Sequence, residues 1–214
     1  MSKTVCIYPK DESTDFLSPL YDFLCEKGCE GWHKDTTENI DEAYALIKGT
    51  DYIIFLGHGA SDTLYGSPQD GELTELINET NIKELLYGKR CVILACNSYE
   101  FCENYNLTSS IGFGNMPTGT VDVKIAMEAD ITFPSLEKED IDTYDAALVS
   151  LLIRAFNVAW LTDMEKLYSK IRLFANIEIG ECLINKPCKM FREVADLLQG
   201  HCPKFCVNGN RIQL

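Results

Sequence analysis

Two short segments of this chain end a run of apolar residues with a reactive side chain. Residues 55–61 read FLGHGAS and contain His58, and residues 93–100 read ILACNSYE and contain Cys96. Each apolar run predicts a buried β-strand that stops at the reactive residue. An imidazole and a thiol held at one site act as base and nucleophile, the chemistry of a cysteine protease.

Glycines surround the histidine and suggest how a substrate would reach it. Gly57 and Gly59 bracket His58. A residue without Cβ permits a sharp turn and close approach of another backbone. We therefore expect the amide of Gly59, with the amide of Cys96, to bind the oxyanion of a tetrahedral intermediate.

The elements that must position these residues alternate between strand and helix. Strands are predicted over Thr4–Tyr8, Glu30–His33, Asp51–Leu56, Arg90–Ala95 and Ser109–Phe113. Several are continuously apolar, which is typical of a parallel sheet covered on both faces. Because ligands collect at the carboxyl ends of parallel strands, His58 and Cys96 are expected to share one sheet edge.

The second half of the chain is predicted to be mainly helical. Helices are expected over Ile141–Leu161, from about Met164 to Ile177, and over Lys189–Leu198, and Asn208-Gly209 is a hairpin-turn signal. No repeat or linker is evident, so one domain is predicted over residues 1–214, with 180–214 as a C-terminal helical and hairpin extension.

Composition narrows the class of protein. The net charge of −14 and pI of about 4.6 argue against binding to nucleic acid or an anionic membrane. The start does not resemble a signal peptide, and no apolar run approaches the roughly 18 residues of a membrane span. The ten cysteines are scattered through predicted strands and helices, which indicates a reduced, cytoplasmic protein.

The C-terminal segment is rich in cysteine and raises the question of a zinc site. It contains Cys182, Cys188, His201, Cys202 and Cys206. It has no C-x2-C pair, and two adjacent ligands cannot easily hold one ion, so reduced cysteines without a metal are the favoured interpretation.

In order and spacing, the motifs around the two reactive residues resemble the caspase-like cysteine peptidases, most closely the CHAT branch of the caspase/separase clan. The resemblance spans roughly residues 50–115 and rests on Gly57-His58-Gly59, Leu64-Tyr65-Gly66, Gly71-Glu72-Leu73 and the run from Val92 to Ser98.

The resemblance implies a caspase-like three-layer α/β sandwich, with a mostly parallel central sheet of about six strands and helices on both faces. It implies a thiol nucleophile at Cys96, a proton-transfer role for His58, an oxyanion hole at Gly59, and neither metal nor organic cofactor. No third catalytic residue is evident. The implied activity is cleavage of a specific protein or peptide substrate, under a regulatory partner or oligomer, in regulated proteolysis such as bacterial antiviral immunity or cell death.

Other functions stay open from the sequence. A catalytically inactive caspase-like interaction module and a thiol amidase of another class are the alternatives. Substrate selectivity is also open: an acidic pocket would suit a basic residue, and acidic residues in segments that could reach the site are Asp62, Asp122, Glu128 and Asp130.

Overall fold

The computed structural model describes residues 3–34, 39–68, 72–117, 119, 123–124, 127–128, 134–200, 203–208 and 210–212. Gly71, Asp122, Asp130, His201, Cys202 and Gly209 lie outside these residues. A central β-sheet runs through the described part, with helices packed on both of its faces.

The central sheet of the described part has seven strands: β1 (Thr4–Pro9), β2 (Glu30–Lys34), β3 (Tyr52–Leu56), β6 (Arg90–Leu94), β7 (Ser109–Gly112), β8 (Lys204–Val207) and β9 (Asn210–Ile212). Their order across the sheet is β2-β1-β3-β6-β7-β8-β9. The first five in this order are parallel, and the last two form an antiparallel hairpin that pairs with β7. A separate short ribbon joins β4 (Leu64–Tyr65) to β5 (Glu75–Ile77).

One short 3₁₀ helix, Glu12–Leu17, follows β1 directly. The α-helices of the described part are α1 (Ser18–Glu26), α2 (Ile40–Lys48), α3 (Ile82–Leu86), α4 (Ser98–Asn104), α5 (Lys138–Val158), α6 (Met164–Asn185) and α7 (Phe191–Gly200).

Two hydrophobic clusters cover the two faces of the sheet. Alternate residues of β3 point to opposite faces, so Ile54 and Leu56 pack with α1, α5, α6 and α7, whereas Ile53 and Phe55 pack with α2, α3 and α4. We call the first side the α5 face and the second the α2 face. Burial on both faces explains the uninterrupted apolar strands.

The predicted fold class is confirmed: the chain is α/β, with a mostly parallel central sheet between two helical layers. In the described residues the C-terminal hairpin supplies the last two strands of this sheet, β8 and β9. Helix α6 also continues to Asn185, beyond the predicted end near Ile177, since its buried residues recur as far as Cys182. The sequence also predicts a helix that starts at Asp35 or Thr36 and runs through Lys48. The predicted start lies outside the described residues, and the described helix α2 spans Ile40–Lys48.

Candidate active site

His58 and Cys96 follow neighbouring strands that run in register. β3 and β6 pair from Tyr52 opposite Arg90 to Leu56 opposite Leu94. The amide of Gly57 also donates to the carbonyl of Leu94 at 3.0 Å, so the pairing continues past the strand ends. His58 and Cys96 each come two residues after the last paired residue of their strand.

The strand residues that precede His58 and Cys96 lie on the same face of the sheet. Leu56 and Leu94, two residues before His58 and Cys96, both pack on the α5 face. Cys96 itself is half-buried and packs against that same cluster. The thiol of Cys96 therefore lies on the α5 side of the sheet, near the edge at which β3 and β6 end.

Gly59 lies directly against the backbone at Cys96. A Cβ added at Gly59 would stand 2.9 Å from the Cβ of Ala95 and 3.1 Å from the carbonyl oxygen of Cys96, so only glycine allows this approach. Gly59 forms an isolated antiparallel bridge with Leu64. The hydrogen bonds flanking this bridge come from Tyr65 N–H to His58 C=O (3.0 Å) and from Ala60 N–H to Thr63 C=O (2.8 Å). This is the non-hydrogen-bonded type of pair, in which the Gly59 N–H points away from Leu64.

Cys96 occupies a tight turn between β6 and α4. Asn97 adopts a left-handed conformation, with φ of 54°, and its amide donates to the carbonyl of Gly114 at 3.1 Å. The fully buried hydroxyl of Ser98 donates to the carbonyl of Ile93 (2.6 Å) and accepts from the amide of Phe113 (2.8 Å). Ser98, the small residue two positions after the cysteine, therefore ties the turn to β6 and to the end of β7.

The sulfur of Cys96 is held by the backbone of Met116. The thiol lies 3.4 Å from the Met116 carbonyl oxygen, and the Met116 amide lies 3.4 Å from Sγ. The carbonyl accepts from a neutral thiol, and the amide donates to a thiolate. Both protonation states therefore have a partner at the same place.

A third residue at this edge, which the sequence interpretation missed, is Asp11. It follows β1, the neighbour of β3 on the side opposite β6. Its Oδ2 lies 2.6 Å from Nε2 of His58, and the His58 and Asp11 side chains are only 26% and 15% exposed. Burial alone would raise the pKa of the Asp11 carboxyl, but the hydrogen bond and charge of His58 outweigh it and hold that pKa well below its usual range.

Ser13 also contacts the histidine, yet its geometry excludes a serine-nucleophile triad. Its Oγ lies 3.0 Å from Nε2 of His58 and donates to Oδ1 of Asp11 at 2.8 Å. In such a triad the carboxylate and the nucleophile bind opposite ring nitrogens. Here the Asp11 carboxylate and the Ser13 hydroxyl both approach Nε2. The second ring nitrogen, Nδ1, is therefore the one that can accept a proton from a thiol.

A cavity of about 370 Å³ adjoins the histidine through Ser13. Its acidic lining residues come from the 3₁₀ helix and from α5: Glu12, Asp15, Asp142 and Asp145. Lys138 also lines it and pairs with Asp142 at 2.8 Å. Two of the acidic residues named from the sequence lie in the described part: Glu128 is exposed, and Asp62 accepts a hydrogen bond from Tyr105 through its backbone carbonyl.

A larger groove, of about 810 Å³, lies between α5 and α6 and is lined by residues such as Ser150, Glu178 and Cys182. None of the three strand-end residues lines it, so it is distinct from the candidate site.

The other cysteines are poorly suited to nucleophilic chemistry. Burial raises the pKa of the Cys91 and Cys29 thiols to about 12, and it also raises the pKa values of the Cys6 and Cys102 thiols. The described cysteines are all free, and the described residues contain no group of side chains arranged to hold a metal ion. None of the described helices combines the length and apolar character required to cross a bilayer.

Comparison of this chain with protein-family models, with curated proteins and with solved structures finds no match.

Proposed function

We propose that the chain is a cysteine endopeptidase of the caspase-like type, with His58 and Cys96 as its catalytic dyad. The observation that supports this proposal is that the two residues follow adjacent, in-register parallel strands, each two residues after its strand ends. Gly59 packed against the Cys96 carbonyl supports the same interpretation. The free cysteines of the described part fit a reducing compartment such as the cytoplasm.

The proposed reaction uses these groups in sequence. The Cys96 thiol passes its proton to Nδ1 of His58, and the thiolate attacks the scissile carbonyl carbon. The amides of Gly59 and Cys96 donate to the oxyanion that forms. The imidazolium then protonates the departing amine as the C–N bond breaks, which leaves a thioester on Cys96. Water, deprotonated by His58, hydrolyses this thioester and regenerates the thiol.

Covalent labelling with a peptide electrophile tests this function without knowledge of the natural substrate. We expect biotinylated peptidyl acyloxymethyl ketones to form a thioether at Cys96, located by mass spectrometry, and the His58→Ala variant to lose the adduct. The physical reason is that only a thiol paired with a base is strongly nucleophilic at neutral pH. The half-exposed Cys25 is the internal control, because burial raises the pKa of its thiol.

The outcomes separate the proposal from the alternatives. A Cys96 that reacts no faster than Cys25 indicates an inactive interaction module of the same fold. Labelling of Cys96 that survives in His58→Ala contradicts the dyad. A Cys96 that reacts rapidly with iodoacetamide, in a protein that neither takes up peptidyl ketones nor cleaves peptides, indicates a thiol amidase of another class.

The cavity beside His58 predicts which peptide bond is cut. Four acidic residues line it against one lysine, and Asp145 is 7% exposed. We expect peptides with Lys or Arg before the scissile bond to be cleaved with kcat/KM about tenfold or more above norleucine, a difference of ~1.4 kcal/mol. A fluorogenic panel with Lys, Arg, norleucine and Asp at that position measures this preference.

Added salt should weaken the preference for Lys or Arg, because it screens part of the attraction between the basic side chain and the acidic cavity wall. Glu12→Gln, which removes an exposed charge from the cavity wall, should reduce the ratio of Lys to norleucine cleavage and leave norleucine cleavage unchanged. Preference for norleucine or Asp in the parent protein would contradict the prediction.

A further inference from the structure

The carboxylate of Asp11 makes two different sets of contacts with its two oxygens. Oδ1 accepts from the Thr14 amide at 2.9 Å, from the Ser13 hydroxyl at 2.8 Å and from the Thr14 hydroxyl at 3.1 Å. Oδ2 faces Nε2 of His58 at 2.6 Å. One oxygen is therefore fixed to the protein, and the other is directed at the imidazole.

The fixed oxygen belongs to a capping box at the start of the 3₁₀ helix. The Asp11 side chain accepts from the Thr14 amide, and the Asp11 amide donates to the Thr14 hydroxyl at 3.0 Å. The helix is itself anchored, because the buried hydroxyl of Tyr8 donates to the Thr14 carbonyl at 2.6 Å. The orientation of the carboxylate is thus set by β1 and the helix cap, independently of His58.

His58 is the basic group that faces this carboxylate. On the same segment, Lys10 pairs with Asp15 at 3.2 Å, and Glu12 is exposed. Across the cavity on α5, Lys138 pairs with Asp142, and Asp145 is buried. On the segment that follows β6, the titratable group near the site is the Cys96 thiol.

We propose that Asp11 is a positioning residue for the reaction: it holds Nε2–H of His58 so that Nδ1 faces Cys96, and it stabilises the imidazolium formed when the thiol loses its proton. This inference rests on the proposed function. Under this inference the site has three members, which follow β1, β3 and β6, in place of the dyad implied by the family resemblance.

The pH dependence of Cys96 alkylation tests the inference without a substrate. Purified protein is treated with iodoacetamide between pH 5 and 9, and the rates at Cys96 and Cys25 are followed by mass spectrometry. Asp11→Asn is expected to slow alkylation of Cys96 about tenfold at pH 6, which is a shift of the profile by about one pH unit to higher pH. The sign follows because loss of the carboxylate disfavours the imidazolium–thiolate pair relative to the neutral pair.

Three variants separate positioning from folding. Asparagine is a good helix-capping residue and accepts the same hydrogen bonds at Oδ1, so Asp11→Asn is expected to fold. Thr14→Val removes the Thr14 hydroxyl from the capping box, but the Thr14 amide and the Ser13 hydroxyl still donate to Oδ1 and hold the carboxylate beside His58. It is therefore expected to change the Cys96 rate less than about twofold. Asp11→Glu serves as the conservative variant and should recover part of the loss.

Failure of this inference is distinguishable from failure of the proposed function. If His58→Ala shifts the Cys96 profile but Asp11→Asn leaves it unchanged, the dyad holds and the role of Asp11 is wrong. An effect of Thr14→Val equal to that of Asp11→Asn would show that Asp11 acts only through the helix cap. A Cys96 profile unaffected by His58→Ala would overturn the dyad and this inference together.

Discussion

Replacement of Cys96 by alanine is expected to lower peptide cleavage by at least about 10³-fold while leaving the protein folded. Removing the nucleophile of an enzyme that works through a covalent intermediate removes the main reaction path, and what is left comes from binding and oxyanion stabilisation alone. Cys96 is half-buried at a turn, and its sulfur hydrogen-bonds to the Met116 backbone through two long contacts, so the loss of one sulfur atom has a small effect on stability. Fluorogenic cleavage and urea unfolding, measured on the same preparations, check both statements.

Cys96→Ser is the sharper variant, because it keeps a hydroxyl in the place of the thiol. A serine hydroxyl is a much weaker nucleophile than a cysteine thiol, and here only a histidine would activate it. Activity should therefore stay near the level of the alanine variant. Cys25→Ala is the matched cysteine control and should retain full activity. Cleavage that persists unchanged in Cys96→Ala would contradict the peptidase proposal.

Replacement of Gly112 by alanine is expected to destabilise the protein by about 3 kcal/mol or more. A Cβ at this position in β7 would stand 2.5 Å from the Tyr99 amide nitrogen and 2.6 Å from the Ser98 carbonyl oxygen. These are backbone atoms of the first turn of α4, so no side-chain rotation relieves the overlap. The strand and the helix must separate, which would also break the Ser98 hydrogen bonds that hold the Cys96 turn.

Urea unfolding of Gly112→Ala measures this effect, with Gly180→Ala as the matched control. Gly180 lies inside α6 and has nothing within 4 Å of an added Cβ, so the same substitution there should stabilise the protein by roughly 0.5–1 kcal/mol through helix propensity. Gly112→Ala is also expected to slow the labelling of Cys96. A Gly112→Ala protein as stable as its parent would mean that α4 does not pack closely on β7.

The arrangement of the sheet was predictable because its central strands are apolar throughout. Runs such as residues 53–56 and 91–94 are buried on both faces, and a short unbroken apolar run between turn residues is the pattern that such burial produces. Parallel strands align their carboxyl ends, so the same pattern predicted that β3 and β6 would end at one edge, each followed by a reactive residue. For Gly59 the sequence predicted only that the missing Cβ would let a substrate backbone approach, and its position against the Cys96 carbonyl required the structure.

Asp11 was not predictable in the same way because its local sequence has an ordinary interpretation. Lys10 to Asp15 is a polar run typical of a turn, and Asp11 followed by Thr14 has the spacing of a helix cap. The cap is indeed present, and it hides the second use of the carboxylate. The signal that could have found it was topological: β1 lies next to β3, so the residues after β1 meet the same edge as His58.

The walls of the cavity depend on contacts distant in sequence. Glu12 and Asp15 come from the 3₁₀ helix, while Asp142 and Asp145 come from α5, far along the chain. Helical periodicity places Asp145 near the buried side of α5 but does not say which element faces it. No local sequence pattern predicts that the 3₁₀ helix faces α5. Equally, none predicts that the C-terminal hairpin extends the sheet.

The order of the strands has a consequence for how activity would arise and be lost. Asp11, His58 and Cys96 follow β1, β3 and β6, which are adjacent in the sheet although 47 positions along the chain separate Asp11 from His58. No single stretch of chain carries the three groups by itself, so the constellation exists only when the centre of the sheet has assembled. The excess of the Cys96 labelling rate over that of Cys25 is therefore a chemical reporter of the assembled core. This excess should disappear at the denaturant concentration at which the sheet unfolds, because each cysteine then reacts as an ordinary thiol.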